Sequence, residues 1–251
     1  MLDFSILLTG TGLFYVLVLS LFEIVLGIDN IIFISVITDA LPAEHQKKAR
    51  NIGLTLALLI RLLLLSVVGW LMGMTEPLET IWGWEITIQS LILLLGGLFL
   101  IYKSTVEMHK NVVGEEEDHG KKKNNTLSSV ITQIVLVDIV FSFDSIITAI
   151  GMTNGISEEA GGGDPLVIIY LAVILSMVVM MFFVKAISDF INERPTIKML
   201  ALAFLVTLGV ILVAEAFGQE IPKGYIYFAM VFALFMEMLN IKMRKNKGIK
   251  G

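Results

Sequence analysis

Long apolar stretches dominate the chain, broken at intervals by short polar ones. Seven of them approach the ~20 residues that a membrane-crossing helix needs: 13–37, 52–72, 86–107, 127–152, 166–190, 196–217 and 224–241. The first, fourth and fifth are long for a simple crossing, which tilt or a break in the helix accommodates. The expected fold is therefore an all-α polytopic membrane protein, a single membrane domain over residues 1–251.

The basic residues sort by loop. Lys47, Lys48 and Arg50 follow the first stretch, Lys110 and Lys121–Lys123 the third, and Arg194 and Lys198 the fifth. Lys242, Arg244, Lys245, Lys247 and Lys250 fill the tail. The intervening loops at 73–85 and 153–165 hold none, and the loop after the sixth stretch holds only Lys223. Positive charge gathers on the cytoplasmic side, so the expected N-terminus is outside and the C-terminus cytoplasmic. Trp70, Trp82 and Trp84 then fall near the outer interface, where aromatic belts form.

Within this frame one pattern occurs twice. The first copy is Glu23-Ile24-Val25-Leu26-Gly27-Ile28-Asp29-Asn30-Ile31-Ile32. The second is Asp138-Ile139-Val140-Phe141-Ser142-Phe143-Asp144-Ser145-Ile146-Ile147. They lie in the first and fourth stretches, so the halves enter the membrane from opposite sides: an inverted repeat of three plus three helices. A weaker echo aligns Gly97–Lys103 of the third stretch with Gly209–Glu215 of the sixth at nearly the same offset. The expected organisation is repeat one over about 11–110, a cytoplasmic linker over about 111–126, repeat two over about 127–219, and an extra helix over about 224–241. Inverted repeats place their sites near the midplane, between halves, where helices break.

Composition narrows the function classes. Hydrophobic residues make up 56% and charged residues 16% of the 251, which leaves little room for a soluble domain. With no cysteine, disulfides, thiolate metal sites and cysteine nucleophiles are excluded. A net charge of −5 provides no basic surface for nucleic acid. Residues 1–12 carry no Lys or Arg, so they lack the basic region of a cleaved signal peptide and are expected to be the mature start. There is no Walker A run, HExxH or Gly-x-Ser-x-Gly, and no enzyme activity is expected. An intramembrane aspartyl protease would also face two Asp across helices, but here each Asp brings a second acid six residues upstream.

Carboxylates inside a bilayer are costly and mark functional sites. Six residues on a regular helix turn through about 240°, so Glu23 and Asp29 do not share a face, nor do Asp138 and Asp144. Either they face different neighbours or the helix unwinds between them, with Gly27 and Ser142 at the matching place for a break. Four acids gathered near the midplane would repel unless a cation neutralised them. Glu23, Asp29, Asn30, Asp138, Asp144, Ser145 and Gln133 offer only oxygen, a set for Mg²⁺, Ca²⁺ or Mn²⁺ rather than zinc or copper. A proton relay without metal, or hydrogen bonding across helices, fits the same acids.

Arg61, in the second stretch, is a candidate counter-charge to the acids or a structural pair. Glu215 is a candidate pathway residue. Lys103, Glu107 and Lys185 read as snorkelling side chains, and Glu237 as a second station on a path. The block Gly114–Lys123 reads as a solvated linker, with metal sensing as the sharper alternative. Met177, Met180 and Met181 read as packing, with a soft-metal path as theirs. The run Gly161-Gly162-Gly163-Asp164-Pro165 reads as a flexible outer loop.

At Glu23-x5-Asp29-Asn30 and Asp138-x5-Asp144-Ser145 the chain resembles the TerC family of integral membrane proteins, and the resemblance covers all seven stretches. It implies a multi-pass protein of the bacterial inner membrane, associated with manganese efflux, metal homeostasis and supply of metal to exported proteins. By this likeness Glu23, Asp29, Asp138 and Asp144 handle metal. The expected function is a secondary transporter in the lipid bilayer exporting a divalent cation, Mn²⁺ ahead of Ca²⁺ or Mg²⁺, with proton counter-transport. The alternative is a membrane factor that delivers metal to, or docks with, other membrane or exported proteins.

Overall fold

The computed structural model describes residues 4–67, 78–81, 84–113, 126–153, 164–219 and 221–246. Seven helical spans are long and apolar enough to cross a membrane. The first is made of α1 (Gly10–Leu26) and α2 (Ile28–Asp39). Then come α3 (Ala43–Ser66), α4 (Ile88–Val113), α5 (Leu127–Thr153), α6 (Pro165–Asn192), α7 (Pro195–Ala216) and α8 (Lys223–Asn246).

Local chemistry sets several of these ends. The Thr9 hydroxyl accepts from the Gly12 N–H at 3.0 Å and caps α1, after a 3₁₀ turn at Phe4–Leu8. Asp164 caps α6 through the Leu166 N–H. Pro165 and Pro195 occupy first helical positions, where a missing N–H costs nothing.

Two expectations change. Lys47, Lys48 and Arg50 lie on the first turns of α3, not in a loop, because the polar run from Ala43 continues straight into the apolar one. The polar connection after the second span also contains a small antiparallel hairpin, β1 (Glu79–Ile81) with β2 (Trp84–Ile86). Trp84 lies in β2, whereas Trp70, Trp82, the charged block 114–123, the glycines 161–163 and the tail lysines 247 and 250 fall outside the described residues.

The spans pair as an exchange of two three-helix halves would pair them. The first packs on the sixth helix, α6, the second on α5, and the third, α4, packs along α7 in the tightest contact of the bundle. That contact brings Gly97 and Gly209, the aligned pair of the weaker echo, face to face. A Cβ on Gly97 would stand 2.6 Å from the Gly209 carbonyl oxygen, and one on Gly209 would stand 2.8 Å from that of Gly97. Only glycine allows the two backbones this approach.

Helix α2 sits at the centre, with Asp29 through Thr38 all buried. The outer surface is the reverse of a soluble protein's: Leu95, Phe182 and Phe228 are largely exposed, and lipid must cover them. The last span, α8, has no buried residue in its apolar window and packs chiefly on α7.

Replacing Gly97 by Ala should cost about 1–3 kcal/mol through overpacking, read as a lowered Tm in detergent. Gly151→Ala, where an added Cβ meets nothing within 4 Å, should leave Tm nearly unchanged.

Candidate functional site

The first layer joins the upstream acids of the two motifs. Glu23 lies near the end of α1 and Asp138 in the middle of α5, each almost fully buried. Arg61, 2% exposed, reaches between them from α3. Its Nη1 donates to Glu23 Oε2 at 2.8 Å, its Nη2 to Asp138 Oδ1 at 3.1 Å, and its Nε to Ser142 Oγ at 2.9 Å. The Ser142 hydroxyl donates in turn to Asp138 Oδ2 at 3.1 Å, and Asn30 Nδ2 donates to Asp138 Oδ1 at 3.2 Å. A guanidinium with several donors in one plane is the side chain that can satisfy two carboxylates and a hydroxyl at once.

The downstream acids form a second layer. Asp29, buried in the first turn of α2, accepts a hydrogen bond at Oδ2 from the Tyr227 hydroxyl at 3.1 Å. Asp144 is about a quarter exposed and is paired with Lys223. Lys223 also lies 3.4 Å from Glu215. Asp29, Asp144, Ser145, Lys223 and Tyr227 share the wall of a cavity of about 20 Å³, room for about one water or ion. Asp144, Glu215, Lys223 and Tyr227 also line a much larger vestibule of about 970 Å³. It is bordered by the start of α4 and the turn between α7 and α8. It thus opens at the end of the bundle whose loops are poor in Lys and Arg.

The sixfold spacing within each motif is resolved by different neighbours. Upstream acids meet Arg61 and downstream acids meet α8. Helix continuity is interrupted only in the first copy: Gly27 separates α1 from α2, whereas α5 runs unbroken through Ser142. Met180 of α6 fills the space at Gly27, where a Cβ would stand 2.3 Å from its sulfur. The four acids do not gather at one point. Among the described residues no group of three or more His, Asp or Glu side chains is placed to hold a metal ion.

Three buried acceptor oxygens of the first motif nevertheless have no hydrogen-bond donor in bonding geometry among the described residues: Glu23 Oε1, Asp29 Oδ1 and Asn30 Oδ1. At formal charge, Arg61 offsets only one of its two carboxylates, and Lys223 only one of Asp29, Asp144 and Glu215. Both layers therefore keep unmet capacity for positive charge.

The other candidates divide. Arg61 stands between the acids, and Glu215 joins the second layer through Lys223. Ser145 lies in the small cavity. Gln133 is turned away, donating to Ser129 on its own helix. Lys103 and Lys110 bracket Glu107, and Lys185 pairs with Asp189, both remote from the acids along their helices. Glu237 takes a hydrogen bond from Asn240. Met177 and Met180 are buried, and Met181 is exposed.

Sequence reasoning missed Lys223 and Tyr227. The available signal was Lys223 itself, the sole basic residue of its loop, with Tyr227 one helical turn on.

Removing Arg61 would leave two buried carboxylates without their cation. Arg61→Met should therefore cost about 3–5 kcal/mol, seen as a lower Tm in detergent. Adding Glu23→Gln should recover part of the loss.

The comparisons with known proteins agree with this architecture. The family model described as "Integral membrane protein TerC family" matches residues 8–248. A UPF0053 protein of Haemophilus influenzae is 47% identical over 229 residues, covering 90% of this chain and 92% of the relative. The UPF0053 inner membrane protein YgdQ of Escherichia coli K12 is 46% identical, over 91% of this chain and 92% of its own length. A longer protein, the UPF0053 inner membrane protein YoaE of the same strain, is 42% identical over 92% of this chain but only 43% of itself. No solved structure matches. With its seven spans, the chain is a multi-pass inner-membrane protein and belongs to the TerC family of integral membrane proteins.

Proposed function

We propose that the protein is a secondary transporter that exports a divalent cation, Mn²⁺ ahead of Ca²⁺ or Mg²⁺, and that it catalyses no chemical reaction. The observation that carries this reading is the pairing of acids from two inverted motifs, Glu23 with Asp138 and Asp29 near Asp144, below a vestibule that ends at Asp144. The donor set supports a hard cation: carboxylate, amide and hydroxyl oxygens, with no cysteine in the chain and no histidine in either layer. The choice of manganese and the outward direction rest on the family's association with manganese efflux.

In this mechanism the cation loads onto Asp29 and Asp144, with Asn30 and Ser145 as neutral oxygen donors. The acids hold one positive load at a time because their mutual repulsion is unmet without it. Protons on the same carboxylates provide the return load, so export of metal is balanced by entry of H⁺. The Arg61 layer acts as the joint. It keeps the two motifs at a fixed distance while the halves rock, each half carrying one acid of each pair. Lipid is the surrounding partner.

Purified protein in liposomes tests this. Mn²⁺ flux should be saturable and should exceed that of Ca²⁺, Mg²⁺ and Zn²⁺. Asp29→Asn and Asp144→Asn should each lower it at least about a hundredfold, the loss that follows when a buried charged contact worth about 3 kcal/mol is removed. Both variants should insert normally. Undiminished flux in either variant would overturn the assignment of the site.

A further inference from the structure

The seventh span lies outside the inverted repeat and is the least embedded helix of the bundle. Its first two turns nevertheless reach the second acid layer. Lys223, its first residue, is paired with Asp144 and lies 3.4 Å from Glu215. Tyr227, one turn later, donates to Asp29 at 3.1 Å. Beyond these, the hold of α8 on the core is loose, made by partly buried residues such as Met230 and Leu234 and by a tilted ring contact between Tyr227 and Phe204 at 6.3 Å.

The placement of the ammonium is specific. Lys223 lines both the small cavity that holds Asp29 and the vestibule that leads to it. A cation leaving Asp29 through the vestibule therefore passes Lys223 on its way. Asp144 is the carboxylate common to both spaces, and its partner in this structure is Lys223. An ammonium and a metal cation compete for one carboxylate, since each uses the same oxygens and the same charge.

We infer that Lys223 is a tethered counter-cation, a plug carried by the seventh helix that occupies Asp144 when the transported cation is absent and must swing toward Glu215 to admit it. Glu215 receives the displaced ammonium, which keeps the buried charge compensated during the exchange. Tyr227 releases Asp29 in the same movement, because both side chains sit on the first turns of one loosely packed helix. The plug sets apparent affinity: the free site is only the fraction of molecules in which Lys223 has left Asp144. This inference rests on the cation-transport reading above.

Equilibrium Mn²⁺ binding to the purified full chain, by titration calorimetry, separates the two. Lys223→Met should bind Mn²⁺ about tenfold tighter than wild type, as removal of a competitor that fills about nine-tenths of the sites requires. Lys223→Arg, which keeps the charge, should stay near wild type. Asp144→Asn should bind poorly with or without Lys223. A helix-anchoring role alone would weaken binding in Lys223→Met, so a rise in affinity is the mark of competition. Equal or weaker binding by Lys223→Met, with Asp144→Asn still defective, would overturn the plug and leave the transporter standing. Absence of binding in wild type and Lys223→Met alike would overturn both. Binding gained only in Lys223→Met would support the plug in its strongest form.

Discussion

A guanidinium buried between two carboxylates is the constraint around which the molecule is arranged. Glu23 belongs to one repeat and Asp138 to the other, and Arg61 is bonded to both at 2.8 and 3.1 Å. In a low-dielectric interior two facing carboxylates repel strongly, and that cation attracts both. The ion triad therefore does more than offset charge. It links the two halves at the depth where the motifs cross, and Ser142 and Asn30 add hydrogen bonds to Asp138. Removing one member of such a cluster is costly, because it leaves a buried charge uncompensated.

The second layer follows a different rule. Its acids are held by side chains from a helix the duplication did not supply. Asp144 and Asp29 meet Lys223 and Tyr227, both on α8, at the edge of a vestibule. One layer is thus closed by a rigid, fully buried cation from within the repeat, and the other by a partly accessible one from outside it. The Gly97–Gly209 contact joins the halves again at the edge of the bundle, where two backbones touch with no side chain between them.

The two copies of the motif differ in structure. The first motif departs from regular helix for one residue at Gly27, whose N–H still donates to the Glu23 carbonyl, and the second runs through Ser142 as a regular helix. Arg61 meets the second motif at Ser142, and Met180 meets the first at Gly27. A charged side chain on one side of the pseudo-symmetric pair and an apolar one on the other leaves one cation, not two, to hold the upstream acids. The upstream layer is left with a net negative balance, and unmatched oxygens remain on Glu23, Asp29 and Asn30.

The chain's own pattern determined the seven spans, because a bilayer demands ~20 apolar residues and satisfied backbone groups, and both are local properties. It also determined the duplication and the four acids, since a motif is read residue by residue. The alignment of Gly97 with Gly209 was legible as a second trace of the duplication, while their contact was decided by packing. What the pattern did not contain was which acid meets which cation. Spacing of six residues placed the two acids of each motif on different faces without naming the neighbours. The partners Arg61, Lys223 and Tyr227 lie 38 to 198 residues away along the chain. The division of four acids into two layers, rather than one cluster, was decided only when helices from both halves and the added seventh span packed together. Electrostatic pairing acts through space, and the order of residues along the chain does not record it.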